Sequence, residues 1–600
     1  MIVLGIGDGH GAGAVLLDGR RVLAAVSEER LTRRKRERGF PRRSIEWVLR
    51  DAGVAAGDVA HVAYASLWGR SVVRFFDEQY RAGDEGGGPS QWAARLHASF
   101  ENEVAARPGL REVEERTSRM LLARRLAELD LDGRPLHAVE HHTAHALAAV
   151  AAAGFARASD AGDAPAGDRP RELVLTLDGY GDGLSGAAAL VFRERDGSPR
   201  LRRFLAVPWE RSLGLVYGAV AEQLDFAEGD EGQVTALAAS GDPERCREAF
   251  ARVIRLGGAT VGPTAPFDVD RKALFGTLRK ELAGAPHADV ARALQDRVEE
   301  AVVRFARAAL DHAGGEERAG TRLACAGGLF ANVRLGARLA ALPGVVSVDV
   351  CPAMGDDGLA LGAALARAAP PARDSAGAAG DPPAFDSVAW GPAIGAAEAR
   401  HAVERSELRT VTGERERAVE EAAELLAGGG VVGVADGRLE LGPRALGQRS
   451  VLFDPRALRL VTHVSRGLAR PPHMPFAPAT LAEDAEHCYV GLERLRSTAR
   501  FMTVAVDTTP WFRQRCPAAV HVDGSARVQL VSGASAPLLH DLLGAFRRRT
   551  GLGTLVNTSF NLHGEPIVAS AADAVRTFLA SGLDGLFLGG LWVRHPHPLR

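Results

Sequence analysis

Cysteine is scarce in this sequence, with five in 600 residues. The number is odd and no two cysteines form a C-x-x-C pair, which argues against both a disulfide framework and a cysteine-based zinc module. We therefore expect a reducing, cytoplasmic location. The five residues are Cys246, Cys325, Cys351, Cys488 and Cys516.

An excess of one charge and long apolar runs are also lacking. The 73 basic and 75 acidic residues give a net charge of −2, so no global field favours nucleic acid or an anionic membrane. No apolar run reaches the length that spans a bilayer, and the first residues lead into glycines rather than into a secretory signal. We expect neither a nucleic-acid nor a membrane partner.

The composition that is present is typical of a globular α/β protein of two or three domains, with 46% hydrophobic residues in a long chain. A strand–glycine turn–strand pattern occurs twice. Residues 2–6 and 12–17 flank the first turn, and residues 173–177 and 187–192 flank the second. The repeat favours an actin-like or sugar-kinase-like domain of two related halves, with ordinary tight turns as the alternative.

Composition also predicts the domain boundaries. Residues 156–171 are rich in Asp, Gly and Pro and predict a surface loop. Residues 368–385 are rich in Ala, Pro and Gly and predict an interdomain linker. The predicted domains are residues 1–367 and 386–600.

Two histidines at helical spacing are the first candidate for chemistry. His141 and His145 open an alanine-rich segment, and residues four apart lie on one face of a helix, where two imidazoles can hold one metal ion. Surface or helix-capping histidines are the alternative for the pair alone. Asp178 and Asp356 each follow an apolar strand and enter a glycine-rich turn. Two His and two Asp would form a site suited to Fe(II), Mn(II) or Zn(II), whereas turn-forming aspartates are the alternative.

Arginine is concentrated in two segments. Residues 437–450 place three arginines around a Gly-Pro turn, and guanidinium groups pair well with phosphate. Residues 30–43 are strongly basic, with Phe40 as their one aromatic residue. For this run, anion binding near the active site is favoured over RNA binding, and a solvated helix face is the alternative.

Eleven ordered segments resemble the nodulation and antibiotic O-carbamoyltransferase family over nearly the whole chain. They are GIGDGHGAGAVLLDG, SEERLTRRK, EHHTAHA, LDGYGDG, RSLGLVYGAV, CAGGLFAN, GDDGLALGAA, GRLELGPRALGQRS, MPFAPA, HVDGSARVQ and NTSFNLHGEPIV. The resemblance implies an actin-like (ASKHA) N-terminal carbamoyl-transfer domain and a C-terminal domain similar to the YrdC carbamoyl-adenylate synthases. The C-terminal domain would make carbamoyl-adenylate from carbamoyl phosphate and ATP, and the N-terminal domain would transfer the carbamoyl group to a hydroxyl of a small natural product.

The resemblance also implies roles for individual residues. The metal ligands would be the two histidines and two aspartates named above, with Fe(II) favoured. His10, with Asp8 beside it, is the candidate general base or acceptor-positioning group, and a structural histidine is the alternative. The expected nucleotide and phosphate contacts are Lys35, Gly327, Gly328, Asn332, Arg444, Arg449, Arg470, Arg527 and Ser559.

Departures from the family pattern put some contacts in doubt. Arg36 follows Lys35 where the family usually has His, and Gln233 stands where it usually has Lys. Arg470 is a candidate replacement for a family lysine. A tRNA threonylcarbamoyl-type enzyme and a non-catalytic nucleotide-binding relative remain the alternative functions, and homodimer formation is left open.

Overall fold

A computed structural model describes residues 1–67, 104, 107–154, 170–193, 198–227, 229–257, 266–314, 320–368, 385–406 and 408–596. These residues form a mixed α/β structure, which confirms the predicted class. Most of the predicted surface loop and of the predicted linker lies outside the described residues. The chain divides into two compact units, Met1–Gly232 with Gly241–Phe385 and Gln233–Ser240 with Asp386–Arg600.

The first unit begins with a five-stranded sheet in the order β3-β2-β1-β4-β5. Strands β1 to β3 are consecutive antiparallel neighbours, and β4 and β5 add to the other side of β1 in parallel. Strand β1 is apolar and almost wholly buried, as expected of a central strand covered on both faces. The strands are β1 (Ile2–Gly7), β2 (Gly13–Asp18), β3 (Arg21–Ser27), β4 (His61–Ala65) and β5 (Leu136–Val139).

A second sheet of the same unit repeats this arrangement. Its order is β12-β11-β6-β7-β8, with an antiparallel meander β6 to β8 and two parallel strands beside β6. The repeat confirms the two related halves. The strands are β6 (Arg171–Gly181), β7 (Leu184–Arg193), β8 (Pro199–Pro208), β11 (Thr321–Ala326) and β12 (Val345–Val350), and β9 (Ile254–Leu256) and β10 (Phe267–Val269) form a separate ribbon.

Helices connect and cover these sheets, and one of them, α4 (His141–Ala152), carries the two histidines of the candidate site. Helices α4 and α11 pack so closely that a Cβ added at Gly362 of α11 would overlap the carbonyl oxygen of Ala144 on α4. The helices of this part of the chain are α1 (Glu28–Thr32), α2 (Arg42–Ala52), α3 (Pro108–Ala127), α4 (His141–Ala152), α5 (Leu213–Gln223), α6 (Gly232–Leu237), α7 (Arg247–Val253), α8 (Arg271–Lys280), α9 (His287–His312), α10 (Arg334–Ala340) and α11 (Leu359–Leu365). All of α6 after Gly232 belongs to the second unit.

The second unit contains a mixed eight-stranded sheet in the order β14-β24-β23-β15-β17-β22-β18-β21. Two short pairs, β13 with β16 and β19 with β20, lie outside it. The strands are β13 (Ala389–Ala393), β14 (Arg409–Thr412), β15 (Val431–Ala435), β16 (Arg438–Glu440), β17 (Arg449–Phe453), β18 (Ala477–Leu481), β19 (Ala505–Asp507), β20 (Ser525–Arg527), β21 (Gln529–Val531), β22 (Thr554–Ser559), β23 (Gly585–Leu588) and β24 (Leu591–Arg594).

Helices accompany this sheet as well, and large aromatic side chains such as Phe453, Phe546 and Trp592 are fully buried in the unit. The helices are α12 (Ala396–Arg405), α13 (Arg415–Ala427), α14 (Leu458–Gly467), α15 (Ala485–Cys488), α16 (Pro510–Arg515), α17 (Pro537–Thr550) and α18 (Ala571–Ser581). Across both units, no helix in the described part of the chain combines the length and apolarity that crossing a bilayer requires.

Candidate functional site

The histidine pair lies on α4, as predicted. The helix starts at His141 because the Glu140 carboxylate accepts a hydrogen bond from the backbone N–H of Thr143 at 2.8 Å and so caps the first turn. Both imidazoles are fully buried. Their Nε2 atoms lie 3.1 Å apart, so the two rings converge on one point beside the helix.

Two aspartates from separate strands reach the same point. Asp178, on β6, places Oδ2 3.2 Å from His141 Nε2 and accepts the backbone N–H of Gly328 with Oδ1 at 2.6 Å. Asp356 follows β12 at the start of a short 3-10 turn, and its Oδ1 lies 3.5 Å from His145 Nε2 and 3.7 Å from His141 Nε2.

These four side chains fit one metal ion. One ligand atom from each lies within 4.8 Å of the others. Ligand atoms held about 2.0–2.2 Å from a common ion are separated by about 3 Å or slightly more, which is the observed spacing of the closest pairs. The donor set of two imidazoles and two carboxylates suits a divalent ion such as Fe(II), Mn(II) or Zn(II).

The electrostatics of the cluster agree with this reading. Burial lowers the pKa of His141, but the hydrogen bond to Asp178 and the negative charge of Asp356 raise it to about 9. Burial raises the pKa of Asp178, yet its hydrogen bond with His141 and the charge of His145 hold that pKa below its ordinary value. The carboxylates thus attract a positive charge between the imidazoles, and a metal ion would take the place of the proton.

Two residues that the sequence analysis did not single out position His141. The Asp182 carboxylate accepts the backbone N–H of His141 at 2.8 Å and the hydroxyl of Ser66 at 2.8 Å. Gly181 lies so close to the imidazole that an added Cβ would come within 2.5 Å of three of its ring atoms. In the sequence, only their place in the second glycine turn pointed to these two residues. Their contacts with His141 could not be predicted, because they join distant parts of the chain.

The predicted catalytic pair lies in the first glycine turn. Asp8 is buried and His10 is exposed. Their neighbour Gly11 packs on the backbone of Asp357, since an added Cβ would lie 2.7 Å from the Asp357 amide nitrogen. The turn that carries His10 therefore borders the segment that supplies Asp356.

The residues predicted to contact the nucleotide in the first unit have different surroundings. Gly327 and Gly328 follow β11, and Gly328 contacts Asp178 as described above. Asn332 exchanges side-chain amide hydrogen bonds with Gln295, at 2.9 and 3.2 Å. Lys35 is exposed in the turn after α1.

Three arginines of the basic run 30–43 form ion pairs within the first unit. Arg36 binds the Asp230 carboxylate at 2.6 Å, and Arg42 binds Glu128 at 2.6 Å. Arg30 is buried and lies 3.1 Å from Glu29. These three arginines therefore have acidic partners within the first unit, and the anion-binding role of the run stays a prediction.

In the second unit, three of the predicted phosphate contacts form one group, here called the arginine cluster: Arg444, Arg470 and Arg527. Burial lowers the pKa of Arg527 well below its ordinary value, and the positive charges of Arg444 and Arg470 lower it further. Arg470 is held by the carbonyl oxygens of Met474 and Pro475, each at 2.7 Å. The charges of Arg444 and Arg470 thus act on Arg527, and guanidinium groups grouped in this way are suited to binding phosphate.

Arg449 and Ser559 are placed differently. The fully buried Arg449 side chain donates to the carbonyl oxygens of Asp436, Gln448 and Pro392, at 3.1, 2.8 and 2.9 Å. This gives Arg449 a structural role, so contact with phosphate would require these bonds to be exchanged. Ser559 ends β22 and is half-buried.

Comparison with known proteins covers both units. A family model for the carbamoyltransferase N-terminus matches residues 2–365, and one for the carbamoyltransferase C-terminus matches residues 423–595. The nodulation protein NolNO of Sinorhizobium fredii is 33% identical over 98% of this chain and 79% of its own length. A 3'-hydroxymethylcephem-O-carbamoyltransferase of Streptomyces clavuligerus is 30% identical over 61% of this chain and 65% of its own length.

A solved structure, component A of (R)-2-hydroxyglutaryl-CoA dehydratase from Acidaminococcus fermentans, aligns with 61% of this chain and 97% of its own. The identity is 15% and the TM-score is 0.30.

Proposed function

The chain belongs to the carbamoyltransferase family, and from this we propose that it is an ATP-dependent O-carbamoyltransferase acting on a hydroxyl of a small natural product. The observation that carries the proposal is the convergence of His141, His145, Asp178 and Asp356 on one point. The similarity to the 3'-hydroxymethylcephem-O-carbamoyltransferase, whose name specifies carbamoylation of a hydroxymethyl group, supports a hydroxyl acceptor.

We propose an actin-like fold for the first unit and a YrdC-like fold for the second. The repeated five-stranded sheet supports the first assignment, because duplicated halves are what the sequence resemblance implies. The second assignment is supported by the resemblance of the C-terminal motifs. The cytoplasmic location and homodimer formation stay predictions.

The second unit would activate the carbamoyl group. With one water, carbamoyl phosphate and ATP would give carbamoyl-adenylate, pyrophosphate and phosphate. Arg444, Arg470 and Arg527 would neutralise the phosphate oxygens of these substrates, and Ser559 would donate a hydrogen bond to them. Burial, and after it the charges of Arg444 and Arg470, lower the pKa of Arg527, and a bound anion would stabilise its charged form against both effects, which supports this assignment.

The first unit would carry out the transfer. The acceptor oxygen attacks the carbamoyl carbon, the bond from that carbon to the adenylate oxygen breaks, and AMP leaves. His10 would take the proton of the acceptor hydroxyl, with Asp8 beside it in the turn. A divalent ion, Fe(II) by preference, with Mn(II) or Zn(II) as alternatives, would polarise the carbamoyl carbonyl when held by the two histidines and two aspartates. Gly327, Gly328, Asn332 and Lys35 would hold the adenylate.

The test uses the purified protein with carbamoyl phosphate, ATP and a panel of sugar, macrolide and aminoglycoside acceptors. We expect pyrophosphate to form, and AMP to form together with a product 43 mass units heavier than one of the acceptors, about the mass change when a carbamoyl group replaces a hydroxyl hydrogen. Absence of pyrophosphate and AMP across the panel would contradict the proposal.

A further inference from the structure

The turn that carries Arg444 is held by side chains rather than by regular secondary structure. Residues 441–448, here called the arginine turn, connect β16 to β17. Backbone groups in such a segment lose their water on burial and must find other partners. Three buried side chains outside the turn, here called the cradle, provide them: Glu440, Gln529 and Asn557.

Glu440 binds the amide side of the turn. Its Oε1 atom accepts the backbone N–H of Leu446 at 2.7 Å, of Gln448 at 3.0 Å and of Arg449 at 3.4 Å. One buried carboxylate oxygen therefore gathers three amides, and bonds to a charged acceptor are stronger than neutral ones.

Gln529 and Asn557 bind the carbonyl side. The Gln529 amide nitrogen donates to the carbonyl oxygen of Leu446 at 2.8 Å, and that of Asn557 donates to the carbonyl oxygen of Ala445 at 3.1 Å. Asn557 Nδ2 also donates to Gln529 Oε1 at 2.8 Å, so the two amides are ordered by each other. The carbonyls immediately following Arg444 are thereby fixed.

The cradle also lies next in sequence to the other predicted anion contacts. Gln529 is two residues after Arg527, and Asn557 is two residues before Ser559 on β22. Residues two apart on a strand point to the same face, so Asn557 and Ser559 share one face of the sheet. The same short segments therefore supply both the proposed anion contacts and the supports of the arginine turn.

We propose that Glu440, Gln529 and Asn557 are positioning residues, which hold the arginine turn so that Arg444 joins Arg470 and Arg527 around a phosphate group. This inference rests on the proposed function. The cradle acts through Arg444 and does not itself touch the substrate.

The experiment is a double-mutant cycle with inorganic pyrophosphate as the probe, measured by calorimetry on the full chain. Gln529→Met removes the donor to Leu446 at nearly constant volume. We expect it to weaken pyrophosphate binding about tenfold, since a buried carbonyl is left without its partner and the turn relaxes. In an Arg444→Met background, the same change should have no further effect, because its effect acts through Arg444.

Thr554→Val is the matched control. Thr554 lies on β22, the strand of Asn557, and its hydroxyl forms a buried hydrogen bond with that of Thr480. The substitution removes this bond, which does not involve the arginine turn, and should leave pyrophosphate affinity unchanged. If Gln529→Met does not fold, Glu440→Gln enters the same cycle, because it keeps one acceptor oxygen for the backbone amides and replaces the charged carboxylate with a neutral amide.

Parental affinity in Gln529→Met, or an additive loss in the double variant, would overturn the positioning role while leaving the proposed function intact. Unfolding of both cradle variants would also overturn it, because the cradle would then serve the whole unit. A parent chain that neither binds nor releases pyrophosphate would instead contradict the proposed function itself.

Discussion

Replacing Gly181 with alanine should displace His141 from the metal cluster. Gly181 ends β6, and the His141 imidazole lies directly over its α-carbon. A methyl group built there would come within 2.5 Å of the ring atoms Cγ, Nδ1 and Cδ2. Ordinary contacts between such atoms are about 3.5–4.0 Å, so the ring or the strand must move by about 1 Å or more.

That displacement is large compared with what metal coordination tolerates. Metal–ligand distances are held to within about 0.2 Å, so a shift of about 1 Å removes His141 Nε2 from the coordination sphere. Changes in the surroundings of metal ligands already cost about 10- to 100-fold in metal affinity. We expect Gly181→Ala to lower metal affinity by at least about 100-fold. The overpacking should also lower the free energy of unfolding by about 1–3 kcal/mol.

The assay measures bound Fe(II), Mn(II) and Zn(II) by mass spectrometry after anaerobic loading and desalting, alongside the melting temperature. Gly179→Ala is the matched control on the same strand, because a Cβ added at Gly179 meets nothing within 4 Å. The control should keep the parental metal content. Stoichiometric metal of parental affinity in Gly181→Ala would refute the proposed coordination by His141.

Three further changes test other parts of the account. His145→Ala removes a ligand and should abolish both stoichiometric metal and carbamoyl transfer, and retention of both in metal analysis and product assays would contradict its role. Arg527→Met should raise the KM for carbamoyl phosphate or ATP at least about tenfold, yet raise the melting temperature, because it removes a half-buried cation on which two other positive charges act; unchanged kinetics would count against the arginine cluster. Glu28→Ala removes a fully buried carboxylate that accepts the backbone N–H groups of Arg43 and Ser44, at 3.1 and 2.7 Å, in the first turn of α2. Chemical denaturation should show that the free energy of unfolding falls by about 2–3 kcal/mol, and by less in Glu28→Gln. Equal stability of Glu28→Ala and the parent would show that α2 does not need this carboxylate.

Local sequence rules predicted the elements that carry the metal cluster. The spacing of His141 and His145 places them on one helical face because a helix repeats about every 3.6 residues. The strands predicted on either side of the two glycine turns, over residues 2–6, 12–17, 173–177 and 187–192, match β1, β2, β6 and β7. Convergence with Asp178 and Asp356 did not follow from spacing, because Asp178 lies on β6 and Asp356 lies in a 3-10 turn far along the chain.

Long-range contacts account for what sequence reasoning missed. Asp182 is 41 residues from the His141 amide that it binds, and Asn557 is 112 residues from the Ala445 carbonyl. Composition alone also could not distinguish an arginine that faces a ligand from one that binds backbone. Arg444 lies on the arginine turn and Arg449 begins the strand after it; the Arg449 side chain binds carbonyl oxygens, whereas the charge of Arg444 acts on Arg527. The basic run likewise pairs with acidic residues such as Asp230, far along the chain.

The central claim is that activation and transfer use separate sites in separate units. Pyrophosphate release from carbamoyl phosphate and ATP, measured without acceptor for Asp356→Asn and Arg444→Met, tests it most directly. We predict that Asp356→Asn releases pyrophosphate at the parental rate and that Arg444→Met does so at least about tenfold more slowly. Loss of pyrophosphate release in Asp356→Asn, or its full retention in Arg444→Met, would contradict the division into two sites.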